Sequence, residues 1–192
     1  MMQHNTFILP IPGTNYKVVE RFFQRLGILQ TTVDNITNKT IVTIPGVSTA
    51  GFTMQFLRQS GLDSVINRHF ENNGKIFGIC SGMQVLFESS DENDYVQCLG
   101  IIPGKVSKIQ SDKHKVPNLG WDDIGDEKYY FMHSYGVNIN STNANFDSIT
   151  MTSKFPQIIA SGKIANISFS QFHPEKSSSY GADFVERNFL CE

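Results

Sequence analysis

The sequence predicts an α/β protein: an open, mostly parallel twisted sheet flanked by helices, with antiparallel strands added in the C-terminal half. Two observations carry this. Through the first half, short β-branched apolar runs alternate with segments whose apolar residues recur at helical spacing, the signature of βαβ units. From about residue 100 the helical spacing stops and short apolar runs follow one another closely, as antiparallel strands do. The length of 192 residues and mass of 21.6 kDa suit a single domain over residues 1–192 with a full core.

In chain order, Phe7-Ile8-Leu9 reads as a strand closed by Pro10-Ile11-Pro12-Gly13, and Val19, Phe22, Phe23 and Leu26 mark a helix ending at Gly27. Thr40-Ile41-Val42-Thr43-Ile44 is a second strand, stopped by Pro45-Gly46; Phe52, Phe56 and Leu57 mark a helix ending near Gly61. Asp63 is placed to cap a third helix carrying Val65, Ile66, His69 and Phe70 on one face. Gly74 precedes the strand Ile76-Phe77-Gly78-Ile79, and a helix over 83–87 follows. Further short runs fall at 106–109, 129–132, 149–151, 158–160 and 164–169, a polar loop at 138–148, and a last helix over 180–190.

Composition narrows the function. Lys plus Arg number 16 against 18 for Asp plus Glu, so the charge of −2 provides no general attraction to nucleic acid or anionic membrane. The basic cluster Lys105, Lys108, Lys113, His114 and Lys115 reads as a solvated strand and loop. No stretch approaches the roughly 18 apolar residues of a membrane span, and residues 1–12 lack the pattern of a secretory leader, so the cytoplasm is the expected address. Cys80, Cys98 and Cys191 are too few and too widely spaced for a disulfide framework or a zinc site, and no metal or cofactor is expected.

One cysteine has a special setting. Gly78-Ile79-Cys80-Ser81-Gly82 places Cys80 between glycines at a strand-to-helix junction, the nucleophile-elbow pattern with Cys in place of Ser. A sharp turn there lifts the thiol above the sheet edge, and the helix start offers free N–H groups to a thiolate or an oxyanion. A buried structural cysteine is the competing account, and it is the default for Cys98 and Cys191. A thiol nucleophile needs a base and a group to orient it. Gln171-Phe172-His173-Pro174-Glu175 follows the last predicted strand, and residues two apart in extended chain point the same way, which makes His173 and Glu175 one unit. His4, His69 and His114 read as ordinary surface or core residues. The acid follows the histidine, whereas in α/β-hydrolases it precedes it, and the Asn partner of papain-like enzymes is absent.

The whole pattern resembles the class I, triad-type glutamine amidotransferases, and within them the family of glutaminase subunits of imidazole glycerol phosphate synthase. The blocks that carry the resemblance span nearly the whole chain: Ile44-Pro45-Gly46-Val47, Gly78 to Gln84 with Phe87-Glu88 and Asp91-Glu92, Leu99 to Gly104, Val116-Pro117 with Gly120-Trp121, His133-Ser134-Tyr135, and Gln171 to Ser177. The resemblance implies the class I glutamine amidotransferase fold, with Cys80 as nucleophile, His173 as general base and acid, and Glu175 as its orienting carboxylate. It implies an oxyanion hole from Gly46, Val47 and Ser81. It assigns glutamine binding to Gln84, Glu92, Ser134 and Tyr135, with Glu92 suited to the α-ammonium. Asn15, Trp121 and Lys176 match positions facing a (β/α)8-barrel synthase in a heterodimer; their plainer readings are a turn residue, a core aromatic and a solvated lysine.

The implied function is hydrolysis of glutamine to glutamate and ammonia. The barrel would use the ammonia to make imidazole glycerol phosphate and aminoimidazole carboxamide ribotide in histidine biosynthesis. The chain departs from the family in three places. Where the family usually opens with Asp-Tyr-Gly before Gly-x-Asn, this chain has Pro10-Ile11-Pro12-Gly13-Thr14-Asn15; Ser48 replaces a glycine freer to visit positive φ, and Asn118-Leu119 replaces His-Met. The first and last of these favour an alternative acceptor, a sugar-amidating enzyme of surface polysaccharide synthesis. A non-catalytic regulatory subunit is disfavoured because Cys80, His173 and Glu175 are all present.

Overall fold

In a computed structural model, the protein is described over residues 4–190; Cys191 lies outside that range. The N-terminal half alternates as the apolar spacing predicts: β1 (Asn5–Ile8), α1 (Tyr16–Arg25), β2 (Leu29–Gln30), β3 (Ile41–Ile44), α2 (Ala50–Ser60), α3 (Leu62–Glu71), β4 (Ile76–Ile79) and α4 (Ser81–Gln84). There follow β5 (Phe87–Ser90), β6 (Val96–Gln97), β7 (Ile102–Lys108), β8 (Asn118–Ile124), β9 (Glu127–His133), β10 (Tyr135–Val137), β11 (Ser148–Met151), β12 (Ile159–Ile164), β13 (Ile167–Ser170) and α5 (Ser178–Phe189).

Seven strands form the main sheet in the order β11-β12-β13-β4-β3-β1-β2; β13, β4, β3, β1 and β2 are parallel, and β12 and β11 extend the edge antiparallel. Its central strands are buried on both faces, so they read as unbroken apolar runs. Alternate residues of β4 enter different cores. Ile76 packs with Ala50, Met54, Leu57 and Ile66 of α2 and α3, whereas Phe77 and Ile79 pack with Val19 and Phe23 of α1 and Phe184 and Phe189 of α5.

Several expectations are corrected. The helix expected over 83–87 is the single turn α4, and Phe87 begins a strand; Val85 and Leu86 are buried among the strands of a second sheet, where burial outweighs helical spacing. The run 164–169 is two strands, because Ala165 at φ 50° turns the chain between β12 and β13. The later strands do not all join the main sheet: β10-β7-β5-β6 form a second one and β8-β9 a separate hairpin. Asp63 lies in the first turn of α3 behind Gly61, which at φ 72° ends α2 and starts α3. The strands β2, β5, β6, β8 and β10 carry too few apolar residues to stand out by periodicity.

Among the described residues, no helix is long and apolar enough to cross a membrane, and no group of His, Cys, Asp and Glu is placed to hold a metal ion.

Candidate active site

Cys80 sits between β4 and α4 at φ 51° and ψ −111°, a backbone conformation that L-residues rarely adopt and that persists where the surroundings over-determine it. The surroundings are the close approach of two chain segments, the end of β3 and the elbow itself. A methyl group on Gly82 would overlap the Ile44 carbonyl oxygen, and one on Gly46 would lie 2.7 Å from Cys80 Cβ and 2.6 Å from the Ile79 carbonyl oxygen. Glycine at 46 and 82 is therefore what lets the end of β3 lie against the elbow. With only four residues, α4 has a weak dipole; what it offers is its first N–H groups, which have no acceptor within the helix.

His173 and Glu175 are buried and joined by a hydrogen bond of 2.8 Å between Nδ1 and Oε1. The reason for their pairing differs from the extended-chain expectation. Glu175 belongs to a 3-10 turn over Pro174–Lys176, started by Pro174, and the turn swings the carboxylate back to Nδ1. The extended stretch instead sets Gln171 and His173 on one side, both toward Cys80: Gln171 Nε2 lies 3.6 Å from Cys80 Sγ.

Burial disfavours a charged His173, but the negative charge of Cys80, the hydrogen-bonding attraction to it and the Glu175 carboxylate outweigh burial and push its pKa up to about 10. Its Nε2 makes no hydrogen bond to a described residue, although the Cys80 charge reaches it. Cys98 is different. It is buried and its thiol is pushed up to about 11 by that burial, the behaviour of a packing residue.

Cys80, Val47, Ser81, Gln84, Glu92, Ser134 and Tyr135 line one cleft of about 350 Å³. The expected oxyanion and substrate positions thus converge on the thiol, with Gly46 packed beneath it. Val47 is the strained residue of the β3–α2 connection, at φ 80°, rather than Ser48, whose N–H donates to Ser81 Oγ at 3.3 Å and whose hydroxyl lies 2.6 Å from Thr53 Oγ1. Glu92 Oε2 accepts from the Ala50 N–H at 2.6 Å and so caps the start of α2 while facing the cleft. Gln84 Nε2 donates to the Tyr135 carbonyl and to Gln171 Oε1.

Asn15, Trp121 and Lys176 fall at the far side of His173 and Glu175. Asn15 does more than form a turn: its amide donates to Glu175 Oε1. Trp121 is 47% exposed beside Leu119 at 60%, so it is no core aromatic, and both Trp121 and Lys176 pack on Tyr130. A larger cleft, about 800 Å³, contains Lys108, His114 and Phe155 and none of the expected site residues.

In the sequence, His133 and Gln171 stand out only as members of the blocks that carry the family resemblance, with no role of their own. His133 is buried, donates from Nδ1 to the Tyr135 carbonyl oxygen at 2.9 Å, and faces the Asn118 amide through Nε2 at 3.5 Å. Burial, aided by the positive charge of His173, lowers its pKa to about 4. Asn118, a departure from the family pattern, thus fills the space beside a neutral imidazole. The i, i+2 rule applied backward from His173 was the signal that would have found Gln171.

The family described as Glutamine amidotransferase class-I matches residues 14–192. The chain belongs to the class-I glutamine amidotransferase family. It is 34% identical to imidazole glycerol phosphate synthase subunit HisH of Oceanobacillus iheyensis, over 84% of the chain and 85% of that protein. It is 32% identical to the Arabidopsis thaliana protein named imidazole glycerol phosphate synthase hisHF, chloroplastic, matching over 94% of the chain; there it spans only 33% of the longer protein. Among solved structures, the structure of PurLQS from Thermotoga maritima superposes with a TM-score of 0.70 over 98% of both chains at 16% identity, a likeness of fold. The α/β architecture with its mixed seven-stranded sheet is that of the family's known structures.

Proposed function

We propose that this amidotransferase, as one domain over residues 1–192, hydrolyses glutamine with Cys80, His173 and Glu175 and passes the ammonia to a (β/α)8-barrel subunit. It is a glutamine-hydrolysing subunit of the imidazole glycerol phosphate synthase type, acting in histidine biosynthesis, as its relatives' names indicate. The observation that carries the mechanism is the buried His173–Glu175 pair set against a cysteine held at φ 51° at the end of a cleft.

In this reading the Cys80 thiolate attacks the side-chain carboxamide carbon of glutamine. N–H groups at Val47 and Ser81 receive the oxyanion, a contribution of about 3–4 kcal/mol per donor in related acyl transfers. The His173 imidazolium, held charged by Cys80 and Glu175, gives its proton to the departing nitrogen and ammonia leaves. Water, deprotonated by the same imidazole, then cleaves the thioester and releases glutamate. Glu92 receives the α-ammonium through the carboxylate that also caps α2, and Gln84, Ser134 and Tyr135 shape the cleft.

The exposed Leu119, Trp121 and Lys176 face, lying behind Asn15 and Glu175, supports the place of the barrel partner. The cytoplasm remains the proposed address, consistent with the free thiols of Cys80 and Cys98.

A glutamine-mimicking chloroketone is expected to label Cys80, and Cys80→Ala to abolish both labelling and glutamine hydrolysis. Labelling of Cys98 or Cys191 with Cys80 untouched overturns the mechanism. The chain alone is expected to be a poor glutaminase that a cognate barrel activates; a well-folded pair that makes no imidazole product from glutamine moves the acceptor to a sugar-amidating enzyme.

A further inference from the structure

The amide of Gln171 is locked in one orientation by hydrogen bonds that begin on the backbone. Gln84 Nε2 donates to the Tyr135 carbonyl oxygen at 2.7 Å and to Gln171 Oε1 at 3.0 Å. A carbonyl only accepts, so the first bond makes the Gln84 group at this point an NH2, and the second makes the Gln171 atom facing it the oxygen. The remaining group, the Gln171 NH2, lies 3.6 Å from Cys80 Sγ. Gln171 is fully buried, so turning its amide over would set two NH2 groups against each other with no water to relieve them.

We propose that Gln171 is a further catalytic residue, a fixed neutral donor that holds and stabilises the Cys80 thiolate; this rests on Cys80 being the nucleophile. The sulfur has two sets of neighbours that favour opposite protonation states. The Met132 carbonyl oxygen on β9, 3.8 Å away, accepts from the thiol and repels the thiolate. Gln171 Nε2 can only donate, so it favours the thiolate. The titratable groups around the sulfur are His173 with Glu175 behind it, His133 on β9, kept neutral by burial, and Glu92 across the cleft. Gln171 never ionises, so its donation persists while these groups titrate. The Gln84 link also ties the donor to the Tyr135 backbone of the cleft wall.

The test is the pH dependence of Cys80 alkylation by iodoacetamide in the full-length chain with its barrel partner, read from the Cys80 peptide by mass spectrometry. The thiolate displaces iodide, so the rate follows the thiolate population. Gln171→Met keeps the bulk and removes the donor, and is expected to raise the midpoint by about one pH unit, a loss of about tenfold in rate below it. Gln171→Glu is nearly isosteric, faces the sulfur with a carboxylate oxygen, and is expected to raise the midpoint further. A packing role would lower the melting temperature without this ordering. A wild-type midpoint in the folded Gln171→Met variant, or an unchanged or lowered one in Gln171→Glu, overturns the proposal. If instead wild-type Cys80 resists alkylation and Cys80→Ala still hydrolyses glutamine, the nucleophile assignment itself has failed.

Discussion

At the scale of single residues, the site separates two buried histidines by what each one faces. His173 faces a thiol and a carboxylate and is held charged; His133 on β9, within reach of that charge, faces a backbone carbonyl and an amide and is held neutral. The neutral one makes stability depend on pH. Its folded pKa of about 4 lies below the ordinary 6.5, so between those values the unfolded chain binds a proton that the folded one refuses. The His133 contribution to stability is therefore full above pH 6.5 and is lost as pH falls toward 4, by on the order of 3 kcal/mol. Denaturant titrations at a series of pH values are expected to show this loss, and His133→Asn is expected to flatten it; an equally steep loss in the variant removes His133 as its source. Cys80 and the His173–Glu175 pair were legible as candidates because each lies in a short, local motif of its own. Gln171 was legible only as part of a block, since its role needs Gln84 and Tyr135, far away in sequence, to set the amide.

At the scale of elements, the elbow depends on chain segments that touch. Gly82→Ala is expected to cost about 3 kcal/mol or more, because the new methyl group meets a backbone carbonyl that cannot rotate away. The denaturant midpoint measures it, and an alanine tolerated without loss would mean that β3 and the elbow are free to separate. The elements that periodicity found, such as α1 with Val19, Phe22 and Phe23 or β3 with four consecutive buried residues, are those whose burial follows one repeat. Where burial comes from two sides, as at Val85 to Phe87 between the main and second sheets, the spacing resembles a helix and misleads.

At the scale of the whole molecule, the Glu175 carboxylate connects the cleft to an outer face. Glu175 accepts from both His173 and Asn15 at one oxygen, Oε1, and Asn15 starts α1 beside the surface carrying Leu119, Trp121 and Lys176. A partner seated there would press on the residue that orients the base. Trp121→Ala is expected to weaken the complex with the barrel by about 30-fold or more, the usual loss for a central aromatic anchor, as measured by titration calorimetry. An unchanged affinity removes this face from the interface.

The linear order of residues determined by itself that the core is α/β, and it singled out Cys80 as the candidate nucleophile with His173 and Glu175 as its candidate companions. These follow from alternation, from glycine spacing and from neighbours in the chain, all of which are local. The tertiary structure alone decided that the C-terminal strands divide among three sheets, that a 3-10 turn rather than extended chain returns Glu175 to the imidazole, and that Gln171 aims its amide at the sulfur. Those outcomes depend on which buried polar group finds which partner, and a buried donor or acceptor is satisfied by whatever lies beside it in space, however distant in sequence.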